Sequence, residues 1–137
     1  MTDSSRNQSV HTDDGRHIRL AIPADVRFLR VARLTAAGVA GDLGFGLQAI
    51  EDLRVAIDEL CVVVIEHADP GAELELEYEI GDDQLIIVGR CPGSGGDPQV
   101  HPVAAELLRM TADEYEVAGD GSGRSFRLIK RQHELAV

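Results

Sequence analysis

The feature that most constrains the fold is a change in hydrophobic period near Pro70. Over residues 47–68, apolar side chains recur at three- and four-residue intervals, which is the spacing that one buried face of an α-helix requires. Over residues 73–80, acidic and apolar residues alternate without a break, which is typical of a strand with one face in water. A long helix followed directly by such a strand predicts a domain in which the helix covers a sheet.

The rest of the chain supplies more strands and helices around this centre. The further predicted elements are a strand at 17–22, a helix at 24–40, a strand at 84–89, a helix at 102–111 and a closing hairpin with strands at 115–118 and 125–130. Their order predicts an α/β two-layer sandwich (α+β), with a mixed, mostly antiparallel sheet that helices cover on one face. We expect a single domain at 17–131, a disordered arm at 1–16 and a C-terminal tail at 132–137.

The charge balance limits the classes of partner. The 137 residues include 13 Lys and Arg against 24 Asp and Glu, a formal net charge of −11. Such a chain repels phosphate backbones and anionic lipid, so we expect no direct nucleic-acid binding and no membrane binding. The two cysteines, Cys61 and Cys91, offer neither a disulfide framework nor a metal-ligand spacing, and no metal site is predicted. The polar N-terminal residues lack the apolar stretch of a secretory signal, which favours a cytoplasmic protein.

Residues 52–67 carry a more specific pattern. Their sequence, DLRVAIDELCVVVIEH, together with the order of elements, resembles the anti-sigma-factor serine kinases, which belong to the GHKL (histidine-kinase-like) ATPase superfamily. The resemblance runs from about residue 17 to residue 131 and implies a GHKL ATPase-like fold. In that family the helix carries Glu-x-x-x-Asn, often with a His four residues further on. The Glu activates a hydroxyl group, and the Asn holds the magnesium ion that bridges the triphosphate.

The family's nucleotide-binding positions are altered in this chain. Val63 stands where the family has its magnesium ligand, and a valine offers no oxygen to a hard cation. A second family motif, Asp-x-Gly-x-Gly, binds adenine through its Asp, and Cys91 stands at that position. The resemblance therefore implies a degenerate nucleotide site with no cofactor retained. Its residues are Glu59, Val63, His67, Cys91, Gly93 and Gly95.

The later nucleotide-binding elements of the family are matched unevenly. Only residues 96–100 separate the glycine motif from His101 and the predicted helix at 102–111, which leaves little room for the family's flexible lid. The family's closing strand begins Gly-x-Gly-Thr, and it resembles the run that starts at Gly121 and continues Ser, Gly, Arg, Ser, Phe.

The first helix matches the partner-binding segment of the family. Residues 28–31, Phe-Leu-Arg-Val, resemble the segment where these anti-sigma factors place an arginine against their partner. Arg30 is therefore the predicted partner contact, with Arg27 and Arg33 on neighbouring turns. The resemblance implies a sigma factor and an anti-anti-sigma (STAS-type) antagonist as partners, and a homodimer of the chain itself.

Two main functions follow from these matches. The first is an anti-sigma factor that sequesters an alternative (stress or developmental) sigma factor by protein–protein binding, without ATP binding or kinase activity. The alternative is an ATP-dependent serine-protein kinase that phosphorylates the anti-anti-sigma factor. In that alternative Glu59 is catalytic, and ATP and magnesium are the cofactors. A third option is a dimeric scaffold that binds neither nucleotide nor sigma factor.

Spacing alone leaves simpler interpretations open for the same residues. Glu59 and His67 also fit the polar edge of a packed helix, and residues 91–96 also fit a plain turn. The acidic row at 73–79 fits either a solvated strand face or a docking surface for a basic partner.

Overall fold

The computed structural model of the chain describes residues 16–132. Apart from Arg16 and Gln132, the predicted arm at 1–16 and the predicted tail at 132–137 lie outside the described residues. The elements, in chain order, are β1 (His17–Pro23), α1 (Leu29–Asp42), α2 (Leu47–Ile65), β2 (Glu73–Ile80), β3 (Gln84–Pro92), α3 (Pro102–Thr111), β4 (Glu114–Asp120) and β5 (Gly123–Arg131). The predicted change from helical to strand period is confirmed. Among residues 16–132, no helix has both the length and the apolar character needed to cross a membrane.

The five strands form one sheet in the order β1-β2-β3-β5-β4. All four neighbouring pairs are antiparallel, so this sheet is antiparallel throughout rather than mixed. Pro23 at the end of β1 pairs with Glu73 at the start of β2, so α1 and α2 together return the chain to the end of the sheet that β1 had reached. The predicted α+β sandwich is confirmed.

The core lies between one face of the sheet and the helices. α2 is central in the helical layer, since it packs against α1, α3, β3 and β5. Alternate side chains of β2 and β3, among them Leu76 and Ile87, are buried beneath it. Tyr78 is fully buried, and its hydroxyl donates a hydrogen bond to the Ala32 carbonyl of α1 at 2.9 Å. This bond satisfies a polar group that burial would otherwise destabilise.

Several predicted boundaries differ from the structure for local reasons. The helix predicted at 24–40 begins as a 3-10 turn, Val26–Phe28, because the Asp25 carboxylate accepts a hydrogen bond from the Arg27 amide at 2.9 Å. α2 ends three residues before the predicted Ala68, because Ala68 forms an isolated antiparallel bridge with Gly93. The closing strands are longer than predicted, since β4 and β5 pair up to a two-residue turn.

The inner face of β5 carries two buried cations, Arg124 and Lys130. The ammonium of Lys130 donates a hydrogen bond to the Thr111 carbonyl at 3.0 Å, at the C-terminal end of α3. Its nitrogen also lies 3.7 Å from an Asp52 carboxylate oxygen of α2 and 3.8 Å from one of Asp113. Lys130 therefore links α2, α3 and the sheet. Burial of an ammonium is tolerated here because it is both hydrogen-bonded and paired.

Candidate functional site

Glu59 and Val63 lie one turn apart on α2. Asp52, which contacts Lys130, lies on the same face of this helix two turns before Glu59. Glu59 is half-buried, and its side chain makes no hydrogen bond or ion pair with any residue of 16–132. Val63 is buried, with 6% of its surface exposed. Its side chain is therefore part of the packing of α2 rather than a group that faces solvent.

The predicted glycine loop is fastened to the chain segment that follows α2. The Ser94 amide donates to the His67 carbonyl at 3.1 Å, and the Gly93 amide donates to the Ser122 carbonyl at 3.0 Å. A Cβ atom at Gly93 would lie 2.2 Å from the His67 carbonyl oxygen, so only glycine fits this contact. Both amides are used within the protein and are not free to bind a phosphate group.

The structure brings four of the six predicted nucleotide-site residues to one end of the sheet. His67 is exposed, and its ring lies against Gly95, where a Cβ atom would be 2.8 Å from the ring carbon Cδ2. Gly93 contacts the backbone of His67, and Cys91 is buried at the end of β3 just before the loop. Glu59 lies within α2, whereas His67 lies beyond its end at Ile65, and no described contact joins these two side chains.

Arg124 is the residue at this site that the sequence analysis missed. It is the fourth residue of the run at 121–124 that resembles the Gly-x-Gly-Thr motif, where that motif has a threonine, and this difference was the available signal. It is buried with 7% of its surface exposed, and its guanidinium donates to the Val63 and Gly96 carbonyls at 3.0 and 3.2 Å. Weaker contacts reach the Gly95 carbonyl at 3.4 Å and a Glu66 carboxylate oxygen at 3.3 Å.

The three arginines predicted for partner contact have different surroundings. Arg27 is held by Asp25 through a pair at 2.8 Å, and the hydrogen bond from its side chain lowers the pKa of that carboxyl. Arg33 forms a 2.7 Å ion pair with Asp58 of α2. Arg30 is exposed and forms no ion pair with any other residue of 16–132. Arg30 is thus the one of the three whose charge no neighbouring carboxylate offsets.

Exposed apolar side chains flank Arg30 along the same stretch of chain. Leu34 lies one turn after it on α1 and is 58% exposed, and Val26 lies one turn before it and is 64% exposed. Phe28 is 39% exposed, with the Arg27 guanidinium over its ring at 5.7 Å. A free positive charge among apolar side chains is typical of a protein–protein contact.

Both cysteine thiols are expected to resist alkylation in the folded protein. Burial raises the pKa of Cys61 and of Cys91, so the reactive thiolate is scarce at pH 8. Neighbouring carboxylates act in the same direction, Asp58 on Cys61 and Asp69 on Cys91. Iodoacetamide labelling followed by mass spectrometry should be at least about tenfold slower than in the unfolded chain, and its onset should shift to higher pH. Rapid labelling of native Cys91 would show instead that the end of β3 is open to ligands.

Comparison with known proteins gives a consistent set of relatives, although no family model matches the chain. The serine-protein kinase RsbW of Halalkalibacterium halodurans is 35% identical over 81 residues, which cover 58% of this chain and 50% of that protein. The proteins of the same name from Bacillus cereus (strain B4264) and Bacillus subtilis (strain 168) are 34% and 30% identical over 82 and 84 residues. These matches cover 58% and 59% of this chain, and 51% and 52% of the two relatives.

The chain therefore spans about half the length of the curated relatives it matches. Over the matched residues, the resemblance to anti-sigma-factor serine kinases that the sequence predicted is confirmed, since each of these relatives is named a serine-protein kinase.

Proposed function

We propose that this chain is an anti-sigma factor, which sequesters an alternative (stress or developmental) sigma factor by protein–protein binding and works without ATP. The names of its relatives support a place among the serine-protein kinases that the sequence resembles. The observation that favours binding over catalysis is the chemistry at the nucleotide-binding positions. There the guanidinium of Arg124 donates hydrogen bonds to the Val63 carbonyl on one side and to the Gly96 carbonyl on the other.

The side chains at these positions do not fit magnesium triphosphate. Val63 stands at the position of the magnesium ligand in the family that the sequence resembles, and its side chain supplies no oxygen atom. Cys91 is buried as a neutral thiol and lacks the charged acceptor that the adenine amino group would bind. The amides of Gly93 and Ser94, which could cradle a phosphate, already donate to protein carbonyls.

The surface around Arg30 combines an exposed positive charge with exposed apolar side chains, as a protein-binding surface requires. Its charge is exposed and not offset by a neighbouring carboxylate, and Val26, Phe28 and Leu34 add apolar area beside it. We propose that the sigma factor binds here through an acidic side chain opposite Arg30. An anti-anti-sigma antagonist of STAS type then releases the sigma factor by competing for the same surface. Residues 17–131 would act as a single domain, and the functional unit would be a homodimer.

The alternative function, a serine-protein kinase that phosphorylates the antagonist, has one observation in its favour. Glu59 is present at the position of the catalytic glutamate, is half-buried, and is not engaged by any side chain of residues 16–132. In this alternative, Glu59 would accept the proton of the serine hydroxyl, and ATP and magnesium would be the cofactors.

Calorimetric titration with Mg-ATP separates the two functions. We expect no heat of binding up to about 5 mM nucleotide, because the ligands for magnesium and adenine are missing. The titration should be repeated with Mg-ADP. A nucleotide site that had lost only its contacts to the γ-phosphate of ATP would still bind ADP. A dissociation constant below about 100 μM for either nucleotide would favour the kinase instead.

A further inference from the structure

Arg124 is an unusual residue to find on the inner face of a sheet. Its side chain is only 6% exposed, although the neighbouring inward positions of β5 hold Phe126 and Leu128. A guanidinium stays charged at any ordinary pH, so burying it is unfavourable unless its donors are matched by acceptors. The groups that supply those acceptors therefore indicate what this side chain does.

The acceptors come from two separate parts of the chain. On the α2 side, Nη1 lies 3.0 Å from the Val63 carbonyl oxygen and 3.3 Å from a Glu66 carboxylate oxygen. On the loop side, Nε lies 3.2 Å from the Gly96 carbonyl oxygen, and Nη2 lies 3.4 Å from that of Gly95. The guanidinium thus bridges the C-terminal end of α2 and the glycine loop.

The end of α2 is well suited to hold this cation. The last carbonyl groups of a helix have no intrahelical partner and carry partial negative charge, so a cation there is stabilised. Val63 lies in the last turn of α2, which ends at Ile65. The planar fork of an arginine spreads its donors over separate nitrogen atoms in a fixed geometry, so at this position it matches acceptors on two sides, whereas a lysine would place all its donors on one nitrogen atom.

The β4–β5 hairpin closes the loop from a third side. A Cβ atom at Gly119 would lie 2.4 Å from the Gly96 carbonyl oxygen and 3.1 Å from the Cγ atom of Arg124. The loop is therefore held between α2, the hairpin and the buried guanidinium. This leaves the loop backbone packed against the protein on each of these sides.

We propose that Arg124 is an internal latch, whose guanidinium fills the space between the end of α2 and residues 93–96 and keeps the loop closed. The latch holds the loop with no ligand bound, so the domain needs no nucleotide to order this site. A ligand that approached Gly93 and Gly95 from this side would first have to displace the arginine.

Hydrogen exchange of the loop tests the latch directly. Peptides that cover residues 93–97 would be followed by mass spectrometry in the wild-type chain and in Arg124→Ala, Arg124→Lys and Arg127→Ala. We expect these peptides to exchange at least about tenfold faster in Arg124→Ala and in Arg124→Lys than in the wild type. The exchange rates of peptides from β1 and β2 should be unchanged. Arg127→Ala removes an exposed arginine from the same strand and should exchange as the wild type does.

A small-molecule rescue adds specificity to this experiment. About 20 mM guanidinium chloride should slow loop exchange in Arg124→Ala relative to the same concentration of sodium chloride, because the free cation can occupy the vacated space. If Arg124→Ala does not fold, Arg124→Lys decides the matter, since it keeps the charge and most of the stem. Loop exchange within a factor of two of the wild type in Arg124→Lys would overturn the proposal. The measurement uses neither sigma factor nor nucleotide, so its outcome is separate from that of the proposed function.

Discussion

Replacing Arg30 by glutamate should lower the affinity for the proposed sigma-factor partner by at least about 100-fold, and Arg30→Ala should lower it by about tenfold. The reversal is the larger effect because it adds repulsion to the loss of an attractive pair. Thermal unfolding should be nearly unchanged, since Arg30 is exposed and holds no contact that the fold depends on. Biolayer interferometry with the captured partner and differential scanning calorimetry would measure the two quantities.

Arg27 and Arg33 provide matched controls on the neighbouring turns. Arg27→Ala should weaken binding less, because Asp25 already offsets the charge of this side chain. Arg33→Ala should lower the unfolding temperature slightly through loss of its 2.7 Å pair with Asp58, with little change in affinity. An Arg30→Glu variant that binds its partner within a factor of two of the wild type would remove Arg30 from the interface.

Introducing the nucleotide-binding residues of the resembled kinases at two buried positions should destabilise the domain. Val63 and Cys91 are 6% and 2% exposed, so Val63→Asn and Cys91→Asp each place a polar group where an apolar one packs. Each substitution should cost about 1–3 kcal/mol, and the carboxylate introduced at position 91 would also face the like charge of Asp69. Together they should lower the unfolding temperature by about 10 °C or more.

Exposed neighbours supply the control for this double variant. Val62→Asn with Ser94→Asp introduces the same polar groups next to Val63 and in the loop after Cys91, at sites that face solvent, and should unfold within about 2 °C of the wild type. We expect the buried double variant to remain unable to bind Mg-ATP, because Arg124 still bridges the loop and α2. Unchanged stability together with binding of Mg-ATP would show that the two positions belong to a working nucleotide site.

The parts of the fold that sequence predicted are those set by hydrophobic period. The alternation of Glu73–Ile80 allows only one inward face, and the spacing along residues 47–68 allows only one buried helical face. Boundaries were less accurate because long-range contacts decide them. Ala68 leaves the helix to pair with Gly93, which is distant in sequence, and no local pattern signals that bridge.

The latch residue was missed for a related reason. In β5 the inward set begins with Arg124 and ends with Lys130, while the outward set contains Arg127 and Ile129. Each set mixes charged and apolar residues, so alternation does not tell which face of this strand is buried. The departure from Gly-x-Gly-Thr marked Arg124 as different. Only the structure shows that its side chain turns inward to the end of α2.

Affinity capture from cells of the source organism tests the central claim most directly. The tagged wild-type chain and the Arg30→Glu variant would be purified in parallel without added nucleotide, and bound proteins identified by mass spectrometry. We predict that a sigma factor and a small STAS-type antagonist copurify with the wild-type chain and are lost with Arg30→Glu. Recovery of neither protein, or of a sigma factor only when Mg-ATP is supplied, would contradict an anti-sigma factor that works without ATP.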